Sequence, residues 1–344
     1  MTQDKKKIKC VVWDLDETLW HGVLLENDAL SLRSNVAEIV KTLDSRGILQ
    51  SIASKNDHEC ATNELSNFGL REYFLHPHIN WNSKAANVAS VARALNIGID
   101  SVAFIDDQAF ERDEVAFSHP EVLCIDAADL DHILDMPEMN PRFITNDSRN
   151  RRRMYLQDAR RSQVQEEFRG SEEEFLASLN MTLTIGPAQE EDLQRAEELT
   201  LRTNQLNTTG YTLSYDELDQ VRQSDQHKLL IASLDDKYGS YGKIGLALIE
   251  CLRDVWNVKL LLMSCRVMSR GVGMVMINHI LQMAKERQVK LYADFVSNNR
   301  NRMMYVTYKF AGFKEIEKRS DTIVFENDLT RIQPFPPYMQ VTIL

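Results

Sequence analysis

Disulfide chemistry has little to work with in this sequence. Its five cysteines, Cys10, Cys60, Cys124, Cys251 and Cys265, are odd in number, widely spaced and never paired as CxxC. That pattern argues against a disulfide framework or a cysteine zinc site, and it suits a reducing cytoplasm. No run of about 18 apolar residues occurs, so no membrane span is expected. The apolar stretch after the basic Lys5-Lys6-Lys7 cluster ends at Asp14, too soon for a secretory signal. Positive charge is also short: 40 Lys plus Arg stand against 51 Asp plus Glu, a net charge of −11. Such a surface does not favour general binding to nucleic acid or anionic membrane, although a local basic groove is compatible with it. Internal repeats and low-complexity segments are absent.

What remains is the composition of an ordinary globular protein, 43% hydrophobic and 26% charged, at a length that favours two domains. Residues 1–135 alternate short apolar runs, Ile8 to Trp13, Ile48 to Ala53, Val102 to Ile105 and Val122 to Ile125, with amphipathic stretches. Continuous apolar strands alternating with helices predict a doubly wound α/β domain around a parallel sheet. Residues 136–180, with Met136-Pro137, Asn140-Pro141 and the basic run Arg149 to Arg161, read as a solvated helical connector. Residues 181–344 then read as a second α/β domain. It has strands at Lys228 to Ser233, Ile244 to Cys251, Val258 to Met263 and Leu291 to Val296, and helices near 272–288 and 300–310.

The first domain carries a constellation suited to phosphoryl transfer. Its apolar runs end in Asp14-Leu15-Asp16-Glu17-Thr18, in Ser54-Lys55 and in Asp106-Asp107. The carboxyl ends of parallel strands share one crevice. Asp14 can attack phosphorus, and Asp16 can protonate the leaving group and later activate water. Carboxylates this close to a phosphate require a cation. Hard oxygen ligands point to Mg²⁺, held by Asp14, the Asp16 backbone carbonyl, Asp106 and Asp107. Thr18, Ser54 and Lys84 are the candidate substrate-binding residues, with Lys84 neutralising phosphate charge. In order and type these residues resemble the four motifs of the haloacid dehalogenase superfamily. The short span from Thr18 to the next helix leaves no room for a large cap domain, so the crevice should admit a bulky or protein-borne substrate.

In the second domain, Met268-Ser269-Arg270-Gly271-Val272-Gly273 follows a strand and opens a helix, where backbone N–H groups can meet a phosphate. The order of this turn, Asn298 to Asn301, Tyr305, Tyr308 and Gly312 resembles the GNAT acyltransferase fold. Gly271 and Gly273 are therefore candidate ligand-binding positions, or glycines required only by close packing. Met268 stands where that motif has Arg or Gln, a departure that counts against ordinary coenzyme A binding. Cys265, just before the turn, is either a buried structural cysteine or an acyl-accepting nucleophile, with Arg266 and the helix N-terminus favouring its thiolate. Asp294 is a candidate partner base. Asn204 and Asn207, in an amide- and hydroxyl-rich stretch, are candidates for binding substrate hydroxyls, or a capped loop.

Five stretches together resemble the FkbH-like family: Val11 to Trp20, Ala53 to Asp57, Phe104 to Asp113, Thr203 to Thr209 and Met263 to Val267. The resemblance spans nearly the whole chain. It implies a dehalogenase-type phosphatase domain fused to a GNAT-like domain. It also implies a glyceryl unit drawn from D-1,3-bisphosphoglycerate through a cysteine thioester to an acyl carrier protein's phosphopantetheine thiol. Loss of the second phosphate and a role in polyketide extender-unit supply, including methoxymalonyl carrier-protein pathways, follow from the same resemblance. The competing expectation is a small-molecule phosphatase fused to a coenzyme A-dependent N-acetyltransferase.

Overall fold

The computed structural model describes residues 7–26 and 29–344, so Lys5 and Lys6 of the basic cluster lie outside the described residues. The chain forms two compact units, Met1–Leu156 and Gln157–Leu344. The stretch 136–180 divides between them, with the division falling inside a single helix.

In the first unit the chain runs through β1 (Cys10–Trp13), β2 (Trp20–His21), β3 (Ser31–Leu32), α1 (Val36–Ser45), β4 (Leu49–Ser54) and α2 (His58–Asn67). It continues through β5 (His78–Ile79), α3 (Lys84–Ala94), β6 (Val102–Asp106), α4 (Ala109–Ser118), β7 (Leu123–Asp126) and α5 (Asn146–Arg149) into α6 (Arg151–Glu167). Five strands pair in the order β5-β4-β1-β6-β7, all parallel. Every residue of β1, β4 and β6 is buried, because helices cover both faces of the sheet.

Alternation along β1 shows the two faces directly. Val11 and Trp13 pack with Val36, Ile39 and Leu43 of α1 and Leu65 of α2. Cys10 and Val12 pack with Val88 and Val91 of α3 and Val115 of α4. Successive side chains of a strand must point to opposite faces, so one apolar run supplies two cores. Each fully buried aliphatic side chain contributes roughly 1.5–3 kcal/mol. The central β1 is also where the chain reverses direction across the sheet, the place where a crevice opens beyond the strand ends.

The second unit adds α7 (Glu172–Ser178), β8 (Met181–Pro187), α8 (Leu193–Arg202), α9 (Tyr215–Gln223), β9 (His227–Asp236), β10 (Gly239–Cys251) and β11 (Val255–Met263). After these come α10 (Val272–Glu286), β12 (Lys290–Val296), α11 (Arg302–Phe310), β13 (Lys314–Arg319), β14 (Thr322–Asn327) and β15 (Met339–Ile343). Eight strands form one mixed sheet, β13-β14-β12-β11-β10-β9-β8-β15. The β11–β12 and β8–β15 pairs are parallel. Helix α8 buries Leu193, Ala196 and Leu199 on one face, while α10 buries Val275, Met276 and Ile280 on the other.

The basic run within α6 is less solvated than its composition suggests. Arg151 is buried and donates to the Gly47 carbonyl oxygen at 2.7 Å. Arg161 is wholly buried, donates to both Asp236 carboxylate oxygens (2.7 and 2.8 Å) and to Asp158 (2.8 Å), and stacks on the Tyr241 ring. Among the described residues no helix is long and apolar enough to cross a membrane.

Candidate active site

Strand register brings the first constellation together. Trp13 lies opposite Ile52 of β4 and Ile105 of β6, so Asp14, Ser54 and Asp106 leave the sheet at the same edge. The Asp14 amide donates to the Ile105 carbonyl oxygen at 2.9 Å, extending the ladder by one rung and aiming its side chain outward. Ser83 caps α3 by accepting from the Ala86 amide, which fixes Lys84 at the first helical position.

The Lys84 ammonium bridges Asp14 Oδ1 at 2.6 Å and Asp106 Oδ2 at 2.8 Å. All three residues are buried. Burial pushes the Asp14 carboxyl up from its ordinary range and the Asp106 charge adds to this, while Lys84 pulls it back. Burial likewise pushes Asp106 up against the pull of Lys84. For Lys84, burial opposes the charged form, but the carboxylates of Asp14 and Asp106 outweigh it and raise its pKa.

Thr18 is buried, accepts from the Asp107 amide at 3.0 Å and donates to Asp107 Oδ1 at 3.3 Å, so it orients that carboxylate. Asp106 Oδ1 accepts from the Gln108 amide, and Arg112 donates to the Asp106 carbonyl oxygen. One carboxylate oxygen from each of Asp14, Asp106 and Asp107 lies within 4.8 Å of the others. Three negative charges against one ammonium leave an excess that a hard divalent cation offsets, and oxygen-only donors are the set such an ion prefers. These residues fit Mg²⁺.

Asp16 is placed differently from this group. Its carboxylate accepts from the Trp20 indole N–H (2.8 Å), the Asn56 amide group (2.9 Å) and the Leu24 backbone (3.2 Å). Trp20 opens the small β2–β3 ribbon, and Asn56 follows Ser54 by two residues. Neither stood out as a site residue in the sequence. Only the spacing of Asn56 from Ser54 offered a signal. Ser54 itself is buried at the end of β4.

The second constellation is more scattered. Cys265 is half-buried in a short turn, Cys265–Val267, that follows β11. Arg266 beside it donates to the Tyr241 carbonyl oxygen at 2.9 Å. Asp294 is already engaged by other groups. It pairs with Lys259 (2.6 Å) and accepts from Asn257 (3.1 Å), and from Lys259 four strand residues, about 13 Å, remain before β11 ends. Gly271 is the αL residue ahead of α10, and a Cβ there would meet the Tyr338 hydroxyl at 2.6 Å. A Cβ on Gly273 would meet the Met263 thioether at 2.8 Å. Asn204 is exposed, whereas Asn207 is wholly buried and spends its carboxamide oxygen on the Thr209 and Gly210 amides. The structure therefore gives Asn207 a turn to hold, which accounts for it without a substrate. Thr209 keeps a buried hydroxyl with no hydrogen-bond partner.

No family model matches the chain, and no curated protein matches it. Among solved structures, it is similar to the N-terminal part of a Bacteroides fragilis protein containing a phosphatase domain complexed with Mg. The identity is 31% over 37% of this chain, with a TM-score of 0.34. The chain spans 39% of that protein's chain. It is also similar to the ribosomal-protein-S18-alanine N-acetyltransferase of Escherichia coli, at 15% identity over 44% of this chain and 97% of that one, with a TM-score of 0.35. An N-acetyltransferase of Thermoplasma acidophilum in complex with coenzyme A shares 14% identity over 42% of this chain and 98% of that one, TM-score 0.34.

Proposed function

We propose that the chain loads a glyceryl unit onto a carrier-protein thiol and removes its phosphate, with phosphoryl chemistry in the first unit and acyl chemistry in the second. The observation that carries this reading is the convergence of Asp14, Ser54, Lys84, Asp106 and Asp107 at one edge of a parallel sheet, with Asp16 held by three donors beside them.

Asp14 attacks phosphorus, forming an aspartyl phosphate as the bond to the substrate's alkoxide oxygen breaks. Asp16 gives that oxygen its proton, then takes one from the water that releases inorganic phosphate. Ser54 and Lys84 bind the non-bridging oxygens. Asp14, Asp106 and Asp107 would hold Mg²⁺, which would supply Lewis-acid polarisation and charge neutralisation there.

Cys265 is the acyl-accepting group. Its thiolate attacks the carbonyl of an acyl phosphate; a C–S bond forms, the C–O bond to phosphate breaks, and no ATP is consumed. D-1,3-bisphosphoglycerate suits both units, with an acyl phosphate for Cys265 and a phosphate ester for Asp14. The phosphopantetheine thiol of an acyl carrier protein then displaces Cys265, giving a glyceryl thioester suited to polyketide extender-unit supply.

Intact mass spectrometry of the protein with Mg²⁺, 1,3-bisphosphoglycerate and a holo carrier protein tests each half. A glyceryl adduct should form on the enzyme and pass to the carrier. Cys265→Ala should show no enzyme adduct, and loading of the carrier at the wild-type rate by that variant would remove the thiol from the mechanism. Asp14→Asn should leave a phosphorylated product.

A further inference from the structure

The sheet of the second unit contains a gap with a specific cause. Against β10, Leu248 pairs with Leu260 and Ile249 with Val258, so Lys259 is an extra residue in β11. A bulge of this kind bends its strand. Consequently β11 and β12 pair only from Val255–Lys290 to Val258–Ala293, and beyond that step they no longer bond to each other. Two diverging strands leave backbone N–H and C=O groups that need partners, and such an edge is where an extended, amide-bearing ligand adds as an extra strand.

Residues 206–208 fill that gap. The Met263 amide donates to the Leu206 carbonyl oxygen (2.9 Å), and the Thr208 amide to the Leu261 carbonyl oxygen (3.0 Å). The Leu261 amide donates to Thr208 Oγ1 (2.9 Å), and Asn207 bridges Leu262 in antiparallel fashion. From the other side, the Val296 amide of β12 donates to the Thr208 carbonyl oxygen at 3.0 Å. Asn301, wholly buried, clamps the arrangement by donating to the carbonyl oxygens of Asn207 (3.0 Å) and Val296 (2.8 Å).

The neighbouring turn is also committed to the protein's own packing. Gly271 leaves room for the Tyr338 hydroxyl and Gly273 for the Met263 thioether. The arginine of the turn, Arg270, is buried over the Phe175 ring and reaches Gln165 through Nη1, while its Nε has no hydrogen-bond partner.

We propose that residues 206–208 are a built-in strand that closes the second unit to coenzyme A. A pantetheine arm that added along this gap as an extra strand would need the β11 edge at Leu261 and Met263 for its amides, and that edge is already taken. A thiol that reaches Cys265 therefore arrives at the end of β11 and not along its side. This goes beyond the glyceryl-transfer reading and does not need it: a chain that never acylates Cys265 would still exclude coenzyme A.

The test uses the full chain, coenzyme A and acetyl-coenzyme A as probes, calorimetric titration, and residue-resolved hydrogen exchange. Expected are no binding at millimolar probe and slow exchange at Leu261, Met263 and Val296 that neither probe changes. Binding in the micromolar range overturns the proposal. So does fast exchange at those three amides without binding, because the segment would then not be what closes the gap. Asn301→Ala and Thr208→Gly should speed exchange at these amides at least tenfold and admit coenzyme A. Folded variants with a loosened edge that still bind none would also overturn it. If both variants fail to fold, the wild-type exchange and titration decide the matter.

Discussion

At the ends of β1 and β6, three carboxylates face one another with a single ammonium between two of them, and that excess of charge is left for something else to satisfy. At the end of β11, backbone amides and turn glycines are met by the chain itself, and a buried arginine is met in part, through the Phe175 ring and Gln165 but with its Nε unpaired. Both places sit at the end of a strand that feeds a turn. The difference lies in what the groups can pair with. Like charges cannot cancel each other, so a carboxylate cluster advertises a ligand. Backbone groups and glycines can always be met by nearby chain, so the same kind of turn stays ambiguous until the packing is known.

The largest effect that would sharpen this contrast comes from Asp14→Asn. It keeps the shape of the site and removes the nucleophile, so phosphate release should fall by roughly 10⁴-fold or more. Acylation of Cys265, followed by intact mass, should keep its rate. Loss of both activities together would break the assignment of separate chemistries to the two units.

Next is the buried charge of the second unit. Arg161→Met leaves Asp236 without its guanidinium and takes one of several from Asp158, and breaking a buried pair costs about 3–5 kcal/mol. Urea unfolding should report the loss, with phosphatase activity under native conditions unchanged. Burial pushes Asp236 up, but the bonds and charge of Arg161 outweigh it and hold the carboxyl below its usual range. Its stabilising contribution is therefore complete above the ordinary carboxylate value of about 3.9 and is lost as pH falls through the lower folded value. Burial raises Asp158 despite the nearby arginines, so acid also relieves that group. The stability gap between wild type and variant should narrow as pH falls through the carboxylate range, because without Arg161 burial lets both carboxyls take up protons at higher pH. A gap that widens there would contradict this account.

A smaller kinetic effect concerns Asn56. Without its hydrogen bond, Asp16 loses one of the three donors that hold its carboxylate, which is the proposed acid for the leaving oxygen. Asn56→Ala should slow hydrolysis of an alkyl phosphate roughly tenfold, below the 10²–10⁴ that full acid–base catalysis contributes. Hydrolysis of 4-nitrophenyl phosphate should change little, since that group leaves without a proton, and KM should hold for both. Equal slowing of the two substrates would make Asn56 a structural residue only.

Legibility in the sequence followed the same divide. β1, β4 and β6 could be read because burial on both faces makes them continuous apolar runs, and the charged residues at their ends could be read because nothing else explains them. β13, Lys314–Arg319, is exposed at every position and shows no apolar pattern. The stretch Thr203 to Thr209 looked ligand-facing because its residues are polar. The bulge at Lys259 opens the gap they fill, and such a register shift is set by strand pairing rather than by local sequence. Trp20 and Asn56 lie in stretches that carried the resemblance, but their bonds to Asp16 could not be read: the indole reaches it only through the local turn into β2, and Asn56 only through the pairing of β4 with β1.

The smallest effect probes the turn glycine itself. A Cβ on Gly273 would sit 2.8 Å from the Met263 Sδ and Cε atoms. Overpacking of this kind costs about 1–3 kcal/mol, at the low end here because a methionine thioether can shift. Alanine's better helix propensity returns up to about 1 kcal/mol, so Gly273→Ala should lower stability by about 1 kcal/mol or less. If packing is the reason for the glycine, Met263→Ala should remove the clash. A double-mutant cycle should then show coupling of about 0.5 kcal/mol or more between the two positions. If the glycine instead admits a ligand phosphate, Gly273→Ala should weaken carrier loading with stability unchanged and no coupling to Met263. That result would make the end of β11 a ligand site of the same standing as the end of β1.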